Sequence, residues 1–62
     1  MTGMIELVGV SNESYSDAVK KAIEEFMATG KNVHWFQMVE QRGAVKNGKI
    51  EFQVILKVGT AL

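Results

Sequence analysis

His34 is the only imidazole in this 62-residue chain, and there is no cysteine. A nucleophile, a base and an orienting acid therefore do not assemble within one subunit unless His34 recruits a serine from the turn before the helix. One histidine makes no metal site, and the plainer role for His34 is a polar residue at a strand end. Glu6, Glu40 and Glu51 fall on different predicted strands, with no spacing that pairs them for acid–base work. The six glycines form neither G-x-G-x-x-G nor a Walker loop. Gly9-Val10-Ser11 before a helix reads as ordinary capping rather than a phosphate-binding turn. These residues do not predict an enzyme.

Recognition chemistry has more to work with. Trp35 is the only tryptophan and stands between His34 and Phe36 at the start of a predicted strand. Its plain role is an anchor in the core or at a subunit contact, because tryptophan buries a large area. Its chemical role would be a platform on which a flat heteroaromatic ring stacks. Such a ring also needs in-plane hydrogen bonds. Gln53 offers a donor and an acceptor. Arg42 faces it across a hairpin, with a cation for a phosphate or a polarised carbonyl. Trp35, Gln53 and Arg42 are the candidate binding residues, and no metal ligand is assigned.

The element that must position all three is a hairpin from His34 to Val58, centred on Lys46-Asn47-Gly48-Lys49. Asn-Gly between two runs of strand formers predicts a type I′ turn, which needs φ > 0 at both central residues. With Lys46 opposite Lys49, Val45 should pair with Ile50, Arg42 with Gln53 and Glu40 with Ile55. Further out, Met38 should pair with Lys57 and Phe36 with Gly59. Ile50, Phe52, Val54, Leu56 and Val58 keep an unbroken period of two and define the predicted core face. The other face is predicted to carry Arg42 and Gln53 together with Phe36, Met38 and Ile55. Such a mixture of hydrogen-bonding and large apolar groups should not be left in water. Strict alternation places Trp35 on the side away from Arg42 and Gln53. For one ligand to touch all three, a bulge or bend must intervene, or the residues must come from different subunits.

Met4 to Val10 reads as a first strand, ending at Gly9. Ser14, with Asp17 three residues on, predicts a helix N-terminus, and Ser11 is the alternative cap. Tyr15, Ala18, Val19, Ala22, Ile23, Phe26 and Met27 form an apolar helical stripe opposite Lys20, Lys21, Glu24 and Glu25. Gly30 ends it. A crossover helix makes the first two strands parallel. A third strand between them is then antiparallel to both. The predicted fold is α+β: β-α-β-β, a three-stranded antiparallel sheet in order 1-3-2 wrapped around one helix.

Without cysteine or proline, and with a formal net charge of zero, 62 residues allow one domain spanning residues 1–62. A chain this short buries only about 60% of its unfolded surface and usually leans on disulfides, metal or partners. Disulfides are excluded and metal is disfavoured, so self-association is expected. Balanced charge argues against nucleic acid. No apolar run approaches the roughly 20 residues of a membrane span, and no signal peptide opens the chain, so a cytoplasmic location is expected. Asn12-Glu13-Ser14 matches a glycosylation acceptor but reads as the turn into the helix.

Trp35-Phe36-Gln37, Arg42-Gly43, Phe52-Gln53-Val54 and Lys57-Val58-Gly59 resemble the dodecins, small flavin-binding proteins, of the bacterial type. Glu6-Leu7-Val8-Gly9-Val10-Ser11, Ala18, Ala22 and Thr29 match that pattern too, so the resemblance covers nearly the whole chain. It implies a hollow homododecamer that binds FMN, riboflavin or related flavins in pairs at two-fold axes. By position, Trp35 would stack on the isoalloxazine, Gln53 would hydrogen-bond the ring edge, and Arg42 would lie near the ligand. Coenzyme A binding occurs in some relatives, and no specific residue here points to it. The implied function is that of a flavoprotein without turnover: flavin storage, buffering and photoprotection by the stacked indole. The hairpin tip, Ala44 to Lys49, is about one residue shorter than usual in the family, and His34 replaces an acid that often precedes the tryptophan. The alternative is a ligand-free self-assembling structural module that uses Trp35, Phe36, Met38 and Ile55 as subunit contacts.

Overall fold

Ser14 leaves extended conformation to start a helix, and its Oγ accepts a hydrogen bond from the Asp17 backbone N–H at 2.9 Å. The computed structural model describes residues 2–61, with side chains for residues 4–60. The elements are β1 (Thr2–Ser11), α1 (Tyr15–Ala28), β2 (Val33–Lys46) and β3 (Lys49–Ala61). Of the two serines, Ser14 is the cap. Ser11 instead donates to the Asp17 carboxylate at 2.6 Å and accepts from the Glu13 N–H at 3.0 Å. Thr29 closes the C-terminal end, followed by Gly30 at φ 90°.

The sheet order is β1-β3-β2 with both pairings antiparallel, so the fold is the predicted α+β arrangement. β1 runs on to Ser11, past the predicted end at Gly9. Gly9 has a different use there. A β-carbon at position 9 would overlap the Ala18 carbonyl oxygen, so its absence lets α1 settle directly on the strand. Ala18 and Ala22 bury against that strand, and Val54, Leu56 and Val58 of β3 complete the buried core. Leu7, Tyr15, Val19, Ile23, Phe26, Val33 and Met38 pack around it. Met27, at the end of the predicted stripe, is exposed.

The helix is shorter than the sheet. Fourteen residues span about 21 Å, whereas the molecule is 44 Å long. The hairpin therefore projects past the helix. Val45 and Ile50 lie on the helix side of the sheet but beyond the helix, and both are exposed. Asn47 and Gly48, at φ 52° and 76°, form the predicted left-handed turn.

The predicted register holds from the turn to Glu40, with Val45 opposite Ile50, Arg42 opposite Gln53 and Glu40 opposite Ile55. Beyond that point it is corrected. Val39 is an extra, unpaired residue, so Met38 faces Leu56 rather than Lys57, and Phe36 faces Val58 rather than Gly59. A one-residue shift exchanges the two faces of a strand. Met38 and Phe36 thus belong to the helix side, not to the open face predicted for them. Among the described residues, no helix is long and apolar enough to cross a membrane.

Candidate functional site

The Val39 bulge decides which side chains share the open face. Directly opposed residues of an antiparallel pair point to the same side. With Arg42 opposite Gln53 and Trp35 opposite Gly59, all three candidate residues stand on the side of the sheet away from α1. Strict alternation predicted the contrary for Trp35, and the bulge is the reason for the difference. His34 is a second bulged residue, between the Val33–Thr60 and Trp35–Gly59 pairs. It permits Val33 to pack on the core while Trp35 turns outward.

Trp35 is not sealed within its own chain. Its side chain lies over Gly59, where a β-carbon would collide with indole Nε1 and Cε2. Gly59 is thus a flat floor for one part of the indole, while 42% of the residue stays exposed. An aromatic ring supported on backbone and open elsewhere is arranged for stacking.

Towards the hairpin tip, the same face carries a polar chain. Arg42 Nε donates to Gln53 Oε1 at 2.8 Å, and Gln53 Nε2 donates to Glu51 Oε1 at 2.8 Å. Lys46 Nζ lies 3.4 Å from Glu51 Oε1, and Arg42 Nη1 lies 3.6 Å from Glu40 Oε2. The Gln53 hydrogen bond foremost, with help from Lys46, holds the Glu51 carboxyl below its ordinary value against the opposing effect of burial.

The face brings Gln53 and Arg42 together but holds Trp35 apart from them. Gly59 is six residues along β3 from Gln53, roughly 20 Å at the rise of a strand. That exceeds the length of a three-ring system. Between the two ends lie Ile55 and Lys57, with Val8 and Glu6 of β1 beside them. The face is an open surface rather than a cleft, and no cavity is enclosed among the described residues. Nor do three His, Cys, Asp or Glu side chains cluster there as metal ligands.

Sequence reasoning missed Gly59 as the seat of the indole, Glu51 as a partner of Gln53, and the β1 part of this face. Met4, Val8 and Val10 stand on it at 67%, 62% and 45% exposure, next to Gly59, Ile55 and Gln53 respectively. Their even spacing carried that signal in the sequence. An apolar row of this kind on a polar-edged sheet marks a contact surface.

Comparison with known proteins agrees with this architecture. The Dodecin family model matches residues 2–62. The curated dodecin of Thermus thermophilus is 37% identical over 59 residues, 94% of this chain and 86% of that protein. Solved variants of the T. thermophilus protein include a tryptophan-to-phenylalanine and an arginine-to-alanine substitution seven positions apart. Trp35 and Arg42 have that same spacing. Both variant structures are 32% identical to this chain, with a TM-score of 0.90, and cover 100% of it and 94% of their own chain. The dodecin structure from Streptomyces davaonensis is 35% identical, with a TM-score of 0.91, covering 100% of this chain and 93% of that one. A dodecin from Mycobacterium tuberculosis described as calcium-chelating has a TM-score of 0.92 over 100% of this chain and 90% of its own. At 24% identity it shares the fold alone.

Proposed function

Because this chain belongs to the dodecin family, we propose that it binds riboflavin or FMN without turnover, as a homododecamer that stores, buffers and photoprotects the flavin. The observation that carries this reading is the Val39 bulge. It turns the indole of Trp35 outward on the face that already holds Arg42 and Gln53. These residues suit a flavin: a half-exposed aromatic plane for the ring, and an amide with donor and acceptor for its edge.

The roughly 20 Å between the two ends of the face gives the assembly a role in the site. One ring cannot span it. Two copies packed face to face about a two-fold axis near the middle of the sheet set Trp35 of one against Gln53 and Arg42 of the other. The rows of Ile55 and Lys57 lie at that middle. The exposed Met4, Val8 and Val10 supply apolar area for such a contact. When a flavin is stacked there, the indole is an electron donor beside its excited state, which quenches it. Trp35 holds the ring plane, Gln53 orients its edge, and Arg42 keeps Gln53 in place.

The test is a riboflavin and FMN titration followed by flavin fluorescence, with light scattering on the same sample. Quenching by a large assembly is expected. Trp35→Ala should weaken binding by roughly tenfold to a hundredfold, the range of ~1–3 kcal/mol for one base–aromatic stack, with the assembly intact. Unchanged affinity in that variant would remove Trp35 from the site. A large assembly that leaves flavin fluorescence untouched would favour the ligand-free structural module.

A further inference from the structure

Among the described residues, Gln53 is the one amide on the open face held at both ends. A guanidinium has only donors, and a carboxylate has only acceptors. An amide whose two ends are hard to tell apart by shape is here oriented by its partners. Oε1 must point to Arg42 and Nε2 to Glu51. Both contacts are 2.8 Å, within the range of good hydrogen bonds. Lys46, 3.4 Å from the same Glu51 oxygen, keeps that carboxylate on the hairpin. The hydrogen bond from Gln53 lowers the Glu51 pKa, so Glu51 stays an acceptor at neutral pH.

We propose that Glu51 is a positioning residue for ligand recognition: with Arg42 it fixes the Gln53 amide in one orientation, leaving one Oε1 lone pair and one Nε2–H for a planar ligand whose edge carries an N–H next to a carbonyl. This rests on the flavin-binding reading and adds the polarity of the site to it. The ligand must present its donor towards the Arg42 end of the amide and its acceptor towards the Glu51 end. An imide edge meets that requirement. A ring whose imide nitrogen is alkylated does not, because the donor is gone and Oε1 loses its partner.

Four variants and two ligands test it, lumiflavin and its N3-methyl derivative. Wild-type protein should bind lumiflavin about tenfold more tightly than the methylated ring. Glu51→Ala should lose most of that preference while still stacking both ligands. Glu51→Gln, whose side-chain oxygen can still accept from Gln53, should keep more of it. In Glu51→Ala/Gln53→Ala the loss should be no larger than in Gln53→Ala alone, since Glu51 acts through Gln53. Additive losses, or a preference unchanged in Glu51→Ala, overturn the proposal. A measurement on the ligand-free protein separates this claim from flavin binding itself. The Gln53 side-chain amide protons should exchange with solvent more slowly in wild type than in Glu51→Ala, and equal rates overturn the positioning role even if flavin binds. If wild-type protein binds neither ring, the flavin reading falls, and the ligand role of Glu51 falls with it. The exchange comparison then still decides the orientation of Gln53.

Discussion

The Trp35 indole lies across Gly59, occupying the space that a β-carbon at position 59 would need. The two residues are directly opposed on β2 and β3. The lack of a side chain on one is therefore what gives the other its posture. A larger residue at 59 must lift the ring off the sheet, because the colliding atoms belong to a rigid bicycle next to backbone.

Gly59→Ala is accordingly expected to weaken riboflavin binding about tenfold, or about 1.4 kcal/mol, and to shift the Trp35 emission in the ligand-free protein. Titration and emission spectra of the variant check this. An unchanged spectrum with unchanged affinity would mean that the ring does not depend on its seat.

Deleting Val39 should regularise β2 without turning its face. Met38 already opposes Leu56 and Glu40 already opposes Ile55, so removing the unpaired residue between them leaves Trp35 opposite Gly59 on the open side. The expected outcome is a protein that still quenches flavin fluorescence, with an affinity within about tenfold of wild type. Loss of quenching together with a changed tryptophan emission would show that the bend at the bulge, and not the register alone, presents Trp35.

Leu56 is fully buried at the centre of the core. Leu56→Ala should cost about 2–5 kcal/mol, a large share of what a domain of this size possesses. Urea denaturation at fixed protein concentration measures it. A loss below 1 kcal/mol would place the main stabilisation in contacts between copies.

Asp17 predicts an acid limit. The Ser11 hydroxyl first, and then Lys21 at 3.2 Å, hold its carboxyl below the ordinary 3.8. A carboxyl with a depressed folded-state pKa contributes stability that is fully present above its unfolded value. That contribution is lost as pH falls through the lower folded value. Wild type should therefore lose urea resistance below about pH 3.8, and Ser11→Ala and Asp17→Asn should both flatten that part of the profile. Identical acid slopes in all three proteins would count against the Ser11–Asp17 contact as its source.

Much of this fold follows from local chemistry that the sequence displays. Asn47-Gly48 specifies its turn because few residue pairs accept two left-handed conformations in succession, and the pairing that it sets is correct as far as Glu40. The helical stripe from Tyr15 to Phe26, capped by Ser14, follows from period and capping, and the antiparallel sheet follows from a crossover that makes the first two strands parallel with the third between them. Trp35, Arg42 and Gln53 became candidate binding residues through their chemistry and the family resemblance. Their arrangement did not. Nothing in Met38-Val39-Glu40 marks Val39 as unpaired, since a bulge arises where strand twist, helix packing and cross-strand fit compete over many residues. Only the tertiary structure placed Trp35 beyond that bulge, over a glycine distant in sequence. It also set Glu51 against Gln53, and left roughly 20 Å between the two ends of the face. Short-range physics fixes turns and caps residue by residue. Which side of a sheet a side chain occupies depends on the summed register of the whole strand, and a single extra residue reverses it.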